Sequence, residues 1–328
     1  MISKKDKSLS KKKGTYHIHN WREYNKALVQ RGSITFWFSE EAINKWYSTS
    51  FTGEKGRPQK YSDDAILCAL LVRTVYHLPL RALQGFLISI ASLMGLLIKI
   101  PCYSQISRRA ASLEKKLKKL SNQQPCHIVF DSTGLKVYGE GEWKVRKHGW
   151  SKRRTWRKLH IGMDPNSGEV IVCELTDNST GSGDSEVGSE LMTRLPKGVK
   201  NVYGDGAYDD IKFRRSLEII GALPVIPPPR NAVVRKAIDR ATMRRNNAIK
   251  EIRGFGGDDE ARTIWKKIVG YHIRSLGETM MYRVKQLTGS TLRSRIMETQ
   301  CIEAYVKCLV VNKMTRMGMP ASSWEVAA

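Results

Sequence analysis

Acid is what this sequence has little of. Its 328 residues carry 31 Asp and Glu against 56 Lys and Arg, a formal net charge of +25. So unbalanced a chain repels itself unless it meets a polyanion, and nucleic acid is the default partner, because neutralising phosphates releases counterions. An anionic membrane surface is the second candidate. Paired cysteines are also missing. The six cysteines form no Cys-x-x-Cys pair and sit beside no histidine cluster, which argues against a zinc site and fits reduced thiols in a cytosolic protein. No signal peptide is expected, since Met1 to Gly14 is basic with no apolar run behind it. No internal repeat is present.

A long apolar run is almost absent. Ala82 to Ile98 is free of formal charge but is interrupted by Gln84, Ser89 and Ser92 and flanked by Arg81 and Lys99. It reads as two short core helices broken near Gly95 rather than a membrane span. The remaining composition, 41% hydrophobic and 27% charged, is that of a globular protein, and the length suggests about two domains.

Three segments follow from composition and patterning. Residues 1–20 read as a disordered basic tail, with Lys4, Lys5, Lys7, Lys11, Lys12 and Lys13 and little that is apolar. Residues 21–122 read as mostly helical, with Ser39 capping a helix through Tyr47, Ser62-Asp63-Asp64 opening an apolar helix to about His77, Pro79 starting the next, and Ser104 another. The last of these sets Ile106, Ala110 and Leu113 on one face and Arg108 and Arg109 on another. It is either a helix-turn-helix-like DNA reader or a solvated charged face.

Residues 123–328 change character to mixed α/β. Cys126 to Phe130 reads as a strand ending at Asp131. Arg157–Met163 and Glu169–Leu175 form a hairpin around Asp164-Pro165-Asn166-Ser167-Gly168. A helix over Glu186–Leu195, a strand over Val199–Tyr203 running into Asp205, a helix over Asp210–Gly221 and a strand over Leu223–Ile226 follow. Residues 230–262 read as a basic excursion from the core, and two long helices, Gly270–Leu287 and Ser294–Met317, close the chain.

The chemistry rests on carboxylates. Asp131 and Asp205 each follow a short apolar strand, where a rigid scaffold can hold two acids side by side; hard divalent cations take such oxygen ligands. Each alone is as readily a turn residue or a cap. On a helical wheel at about 100° per residue, Arg274, Glu278 and Lys285 fall roughly 300°, 340° and 320° from Tyr271, on one face, opposite Ile273, Leu276, Met280 and Val284. An acid between two bases and a phenol suits metal plus phosphate, and an exposed salt-bridge network is the plainer alternative. Asp184 reads first as a helix N-cap, with the metal environment second. The run from Lys144 to Lys158, with Trp143, Trp150 and Trp156, either lines DNA or is a basic surface hairpin.

Tyr271-x2-Arg274-x3-Glu278-x6-Lys285 resembles the Tyr-Arg-Glu-Lys signature of bacterial insertion-sequence transposases of the DDE type. Phe130-Asp131-Ser132-Thr133-Gly134-Leu135-Lys136, Trp156-Arg157-Lys158-Leu159-His160 and Tyr203-Gly204-Asp205-Gly206-Ala207-Tyr208-Asp209 resemble the blocks around the first two acids, in order and without a large insertion. The resemblance reaches the N-terminal part, at Trp37 to Tyr47 and Gly56 to Leu83, and Val311-Asn312-Lys313-Met314 near the end. It implies a ribonuclease-H-like catalytic domain, a mixed sheet flanked by helices, behind a mostly α-helical DNA-binding domain.

It also implies that Asp131, Asp205 and Glu278 are the catalytic metal ligands, for two Mg²⁺ ions with Mn²⁺ as substitute. Tyr271, Arg274 and Lys285 are implied as contacts to transposon-end DNA, to which Arg108 and Arg109 are added from the helical segment. The expected partners are double-stranded DNA, as terminal inverted repeats and target, and further copies of the chain, with no membrane, in a bacterial cytoplasm at the nucleoid. The alternatives are a DNA-binding regulator without catalysis and a metal nuclease that does not join ends.

Overall fold

The computed structural model describes residues 15–49, 58–113, 117, 119–137, 156–177 and 183–325. Most of the basic tail, Trp143, Trp150 and most of the Lys144 to Lys158 run lie outside them.

In chain order the elements are β1 (Thr15–Ile18), α1 (Trp21–Gln30), α2 (Ile34–Trp37), α3 (Glu40–Asn44), α4 (Asp63–Val75), α5 (Leu80–Leu93) and α6 (Tyr103–Ala110). The sheet and its helices follow as β2 (His127–Val137), β3 (Trp156–Asp164), β4 (Glu169–Thr176), α7 (Asp184–Met192), β5 (Asn201–Tyr203), α8 (Ile211–Ile220) and β6 (Leu223–Val225). Then come α9 (Arg240–Gly254), α10 (Asp259–Ile268), a 3₁₀ turn (Tyr271–Arg274), α11 (Ser275–Thr288), β7 (Thr291–Leu292), α12 (Met297–Met317) and β8 (Ser322–Glu325).

Local chemistry sets several ends. Ser39 Oγ accepts from Ala42 N, Ser62 Oγ from Ala65 N, and Asp210 Oδ1 from Lys212 N, each satisfying an orphan donor of a first turn. Gly221 ends α8 at φ 76°, a conformation glycine adopts without strain. The α3 helix stops at Asn44, short of Tyr47, which instead bridges Tyr61. No helix among the described residues is long and apolar enough to cross a membrane. Of the Ala82 to Ile98 stretch only the part to Leu93 is helical, buried at Leu83, Leu87 and Ala91. Gly95, at φ 65°, leads out of the helix and no second one follows.

The sheet runs β4-β3-β2-β5-β6, with β3 antiparallel to β2 and β4, and β5 and β6 parallel to β2. The mixed α/β expectation holds. The first strand does not end at Asp131, because Asp131 pairs with Ile161 and the β2–β3 ladder continues to Lys136. Only the parallel pairing with β5 stops early, at Val129–Tyr203. Since β3 takes one edge of β2, β5 and β7 share the other, at His127–Val129 and Lys136–Val137. The stretch between them has no strand beside it, and the start of α11 packs there.

Alternation across the pleat sorts the core. Ile128 and Phe130 face α7 and α8. Val129 and Leu135 face α4, α11 and α12, in one apolar cluster running from Trp37 and Ile66 of the N-terminal helices to Met314. The helical segment and the sheet thus share a core.

One boundary is corrected and one reading is filled in. Residues 15–18, assigned to the disordered tail, pair with Ser322–Glu325. Residues 230–262 stand apart from the core as expected, but they hold one capped helix and the start of a second. Asp239 and Asp258 accept from Thr242 N and Ala261 N, and Ala248, Ile252, Ala261 and Trp265 form a small cluster of their own. The polar average of the segment hides that cluster.

Candidate active site

Register brings the first two acids together. Val129 and Tyr203 are parallel neighbours, and Asp131 and Asp205 each lie two residues further on. Asp131 shares the Val129 side of the pleat, facing α11. Its Oδ1 accepts from Ser132 N at 2.9 Å. Asp205 Oδ1 caps the short turn after β5 by accepting from Ala207 N at 2.9 Å, which leaves Oδ2 free to face inward.

The third acid arrives from α11. Gly277 makes this approach possible: a Cβ there would lie 3.0 Å from Val129 Cγ1 and 3.1 Å from Asp131 Cβ. A backbone packed this closely sets Glu278 and Arg274 over Asp131 within β2 and Asp205 just past β5. Arg274 Nη2 lies 3.5 Å from Asp131 Oδ1 and 3.4 Å from Asp205 Oδ2, and its Nη1 donates to Glu278 Oε1. One guanidinium therefore gathers three carboxylates from three elements.

Electrostatics follow from depth. Asp131 is 11% exposed in its side chain, Asp205 40% and Glu278 62%. Burial raises the Asp131 pKa above the ordinary carboxylate value, and the like charges of Asp205 and Glu278 add to that; the Ser132 amide and Arg274 only partly offset it. Burial works against the charge on Arg274 too, but Asp131, Tyr271, Glu278 and Asp205 more than compensate and raise its pKa.

The donor set, three carboxylates and no sulfur or imidazole, suits a hard divalent cation. Among the described residues no three acids share one metal-ligating point, since the Arg274 guanidinium stands between them.

Tyr271 lies in the 3₁₀ turn, half-buried, with Lys266 Nζ 5.2 Å from its ring centre and its pKa raised by burial. The turn shifts the expected helical phase, because i and i+3 eclipse in a 3₁₀ helix. The buried face of α11 is accordingly Gly277, Met280, Met281, Val284 and Thr288, and Leu276, expected inside, is exposed. Lys285 remains on the Glu278 face, about 10 Å further along the helix axis at 1.5 Å per residue.

Arg108 and Arg109 are not part of this constellation. Arg109 is committed inside the protein, donating to Asp63 Oδ1 at 2.6 Å and to the Tyr61 carbonyl at 2.9 Å.

Asp184 is neither the cap nor part of the acid cluster. Gly183 is the N-cap of α7, and the Asp184 carboxylate lies against Lys158 Nζ at 2.8 Å and His160 Nδ1 at 3.2 Å, on the far face of β2 and β3. Burial opposes its charge, yet hydrogen bonds from His160, Lys158 and Ser132 hold it well below the usual carboxylate range. Since Ser132 also donates its amide to Asp131, this network braces the strand under the first acid. Sequence reasoning missed that role, and it missed Gly277, whose only signal was a glycine inside an amphipathic helix.

Comparison with known proteins agrees with the geometry. A family model described as a transposase DDE domain matches residues 122–313, and a second of the same description matches residues 29–140. A solved structure, the cryo-EM structure of a piggyBac transposase synaptic complex with hairpin DNA, is similar at 10% identity over 88% of this chain and 82% of that one, with a TM-score of 0.31, too low to carry an argument. The first family match spans more than half of the chain and contains Asp131, Asp205 and Glu278, and the chain belongs to that family: it is a DDE transposase.

Proposed function

We propose that Asp131, Asp205 and Glu278 are the catalytic carboxylates of this transposase and hold two Mg²⁺ ions, with Mn²⁺ as a substitute, in a ribonuclease-H-like domain. The substrate is the terminal inverted repeat of the enzyme's own insertion sequence. The reaction is phosphodiester cleavage followed by strand transfer, carried out by a homo-oligomer on paired ends in a bacterial cell. The observation that carries this reading is the meeting of three carboxylates, from β2, from the end of β5 and from α11, on a single cationic group.

Bound there, divalent metal lowers the pKa of an attacking water or 3′-hydroxyl and stabilises the leaving oxygen. The protein's own groups do the positioning. Ser132 N–H and the β2–β3 ladder fix Asp131, and the Ala207 amide fixes Asp205. Arg274, whose present partners are the acids, would be the group to hold a backbone phosphate once those acids hold metal. Its fork is matched to phosphate oxygens. Lys285 meets the same backbone further along α11, and Tyr271 packs beside Arg274 to limit where that side chain goes.

The test is cleavage of a plasmid carrying the element's ends, with Mg²⁺, by wild type and by Glu278→Ala. The expected result is end cleavage and joining by wild type, and loss of both in the variant with end binding retained. Equal cutting by the two removes Glu278 from the site. Binding without cutting by either favours a regulator, and cutting without joining favours a nuclease.

A further inference from the structure

We propose that this protein has a second phosphate-binding groove, separate from the three acids, formed where α4, α6 and the β7–α12 connection meet, and that it grips the backbone of duplex DNA. The proposal rests on DNA being the substrate.

Two adjoining cavities, of about 140 and 580 Å³, share Arg73 and Arg293 in their walls and so run into one another. Arg108 and Arg295 line the larger, and His77 and Lys307 the smaller. Glu303 is the sole carboxylate among these lining residues. It is already engaged, accepting from Arg293 N, Ser294 N and Ser294 Oγ at 2.7–3.1 Å. The helix geometry of α6 explains why Arg108 lines this groove while Arg109 pairs with Asp63, since neighbouring residues point about 100° apart.

Arg73 is the telling residue. It sits on α4, mostly out of water, and its Nε has no hydrogen-bond partner. Burial pushes its pKa down. A guanidinium nitrogen buried without an acceptor is costly, and Glu303 is the acid whose charge already acts on Arg73, so an arriving anion would supply what the Nε lacks. Four arginines on three elements, lining one open groove, suit an extended polyanion better than a single small ion. Leu80, Ala110 and Ile296 supply apolar wall between the cations, fit for the sugar edges of a duplex.

The position agrees. Thr291, in the wall of the smaller cavity, pairs with Lys136 of β2, about 17 Å along the strand from Asp131 at about 3.4 Å per residue. That is about half a turn of B-form DNA, so one duplex can reach both places.

The experiment measures binding of full-length protein to a fluorescent end-repeat duplex by anisotropy across a salt series. Wild type is compared with the double variant Arg73→Met, Arg295→Ala and with a surface control, Lys250→Met on α9. In the double variant we expect affinity at fixed salt to fall about tenfold or more, and the slope of log K against log salt to fall by about 0.9 for each phosphate that is no longer neutralised. Arg73→Met alone should keep or raise the melting temperature, since it removes a desolvated cation whose Nε has no acceptor. A wild-type slope and affinity in the double variant would overturn the groove and leave the transposase reading intact, as would an equal loss in the control. No duplex binding by wild type would sink both. A marked fall in melting temperature for Arg73→Met would show a structural arginine and overturn the proposal.

Discussion

Arg274 is the residue on which the proposed site turns, because its single guanidinium contacts all three acids and would compete with a cation for them. A unit charge about 4 Å from a competing cation is worth about 1–4 kcal/mol between bulk water and a protein surface. Arg274→Gln removes it with little change in bulk. Without DNA, this variant should bind Mn²⁺ at least about tenfold more tightly than wild type by electron paramagnetic resonance, and should cleave ends more slowly. Unchanged or weaker Mn²⁺ binding would show that the guanidinium does not hold the metal's place.

A second residue makes a prediction about pH. Burial lowers the Lys307 pKa from 10.5 to about 8, while its Nζ donates to the carbonyls of Thr288 and Gly289. The unfolded chain binds this proton between about pH 8 and 10.5 and the folded chain does not, so stability rises with pH across that window, by at most about 1.4 kcal/mol per pH unit. Urea midpoints of wild type should therefore climb from pH 8 to 10 relative to those of Lys307→Met. A constant difference would mean that Lys307 stays charged in the fold.

At the scale of the element, α11 carries the decisive contact. Alanine at 277 should gain about 1 kcal/mol in helix propensity. Its Cβ would press on Val129 and on Asp131, whose Oδ2 would lie 3.2 Å away. We expect Gly277→Ala to leave end binding within about twofold and to slow single-turnover cleavage by up to about a hundredfold, the scale of a 1 Å misplacement. Wild-type cleavage would mean the strand and helix separate without cost.

That contact also marks how far the sequence is legible. Caps at Ser39, Ser62 and Asp210, the hairpin at Asp164–Gly168 and the apolar alternation of β2 are local, and they can be read directly. So can the three acids, although Asp131 lies within β2 rather than at its end. What joins them is not local. The Val129–Tyr203 register that aligns Asp131 with Asp205, and the strandless stretch of β2 that admits α11, arise from pairing between distant segments. The 3₁₀ turn at Tyr271–Arg274 is a one-turn departure that no wheel of fixed pitch shows. The α9–α10 pair escaped notice because most of its residues are polar, and its four-residue cluster is too small to dominate a segment average.

At the scale of the molecule the question is whether the N-terminal helices form a unit of their own. Trp37, Phe38 and Trp46 are buried in the same cluster as Leu159 and Met163 of β3 and Val306, Val310 and Met314 of α12. Asn312, fully buried, ties α12 to both halves. It donates to the carbonyls of Leu120 and Val170 and accepts from Val170 N. β1 and β8 join the two ends of the described chain. A helical module resting on a separate catalytic module would show two cores and a polar seam; here α4 and the sheet contribute apolar side chains to one core, and separating them would expose it. Unfolding should then be a single cooperative transition for this body. We expect tryptophan fluorescence, with Trp37 of α2 and Trp46 just past α3 among the reporters, and far-ultraviolet circular dichroism to give coincident urea midpoints. A fragment starting near residue 123 should lack that transition, being without the helices that cover α12. Two resolved transitions, or a fragment that melts like the parent, would show that the helices are an independent DNA-binding domain after all.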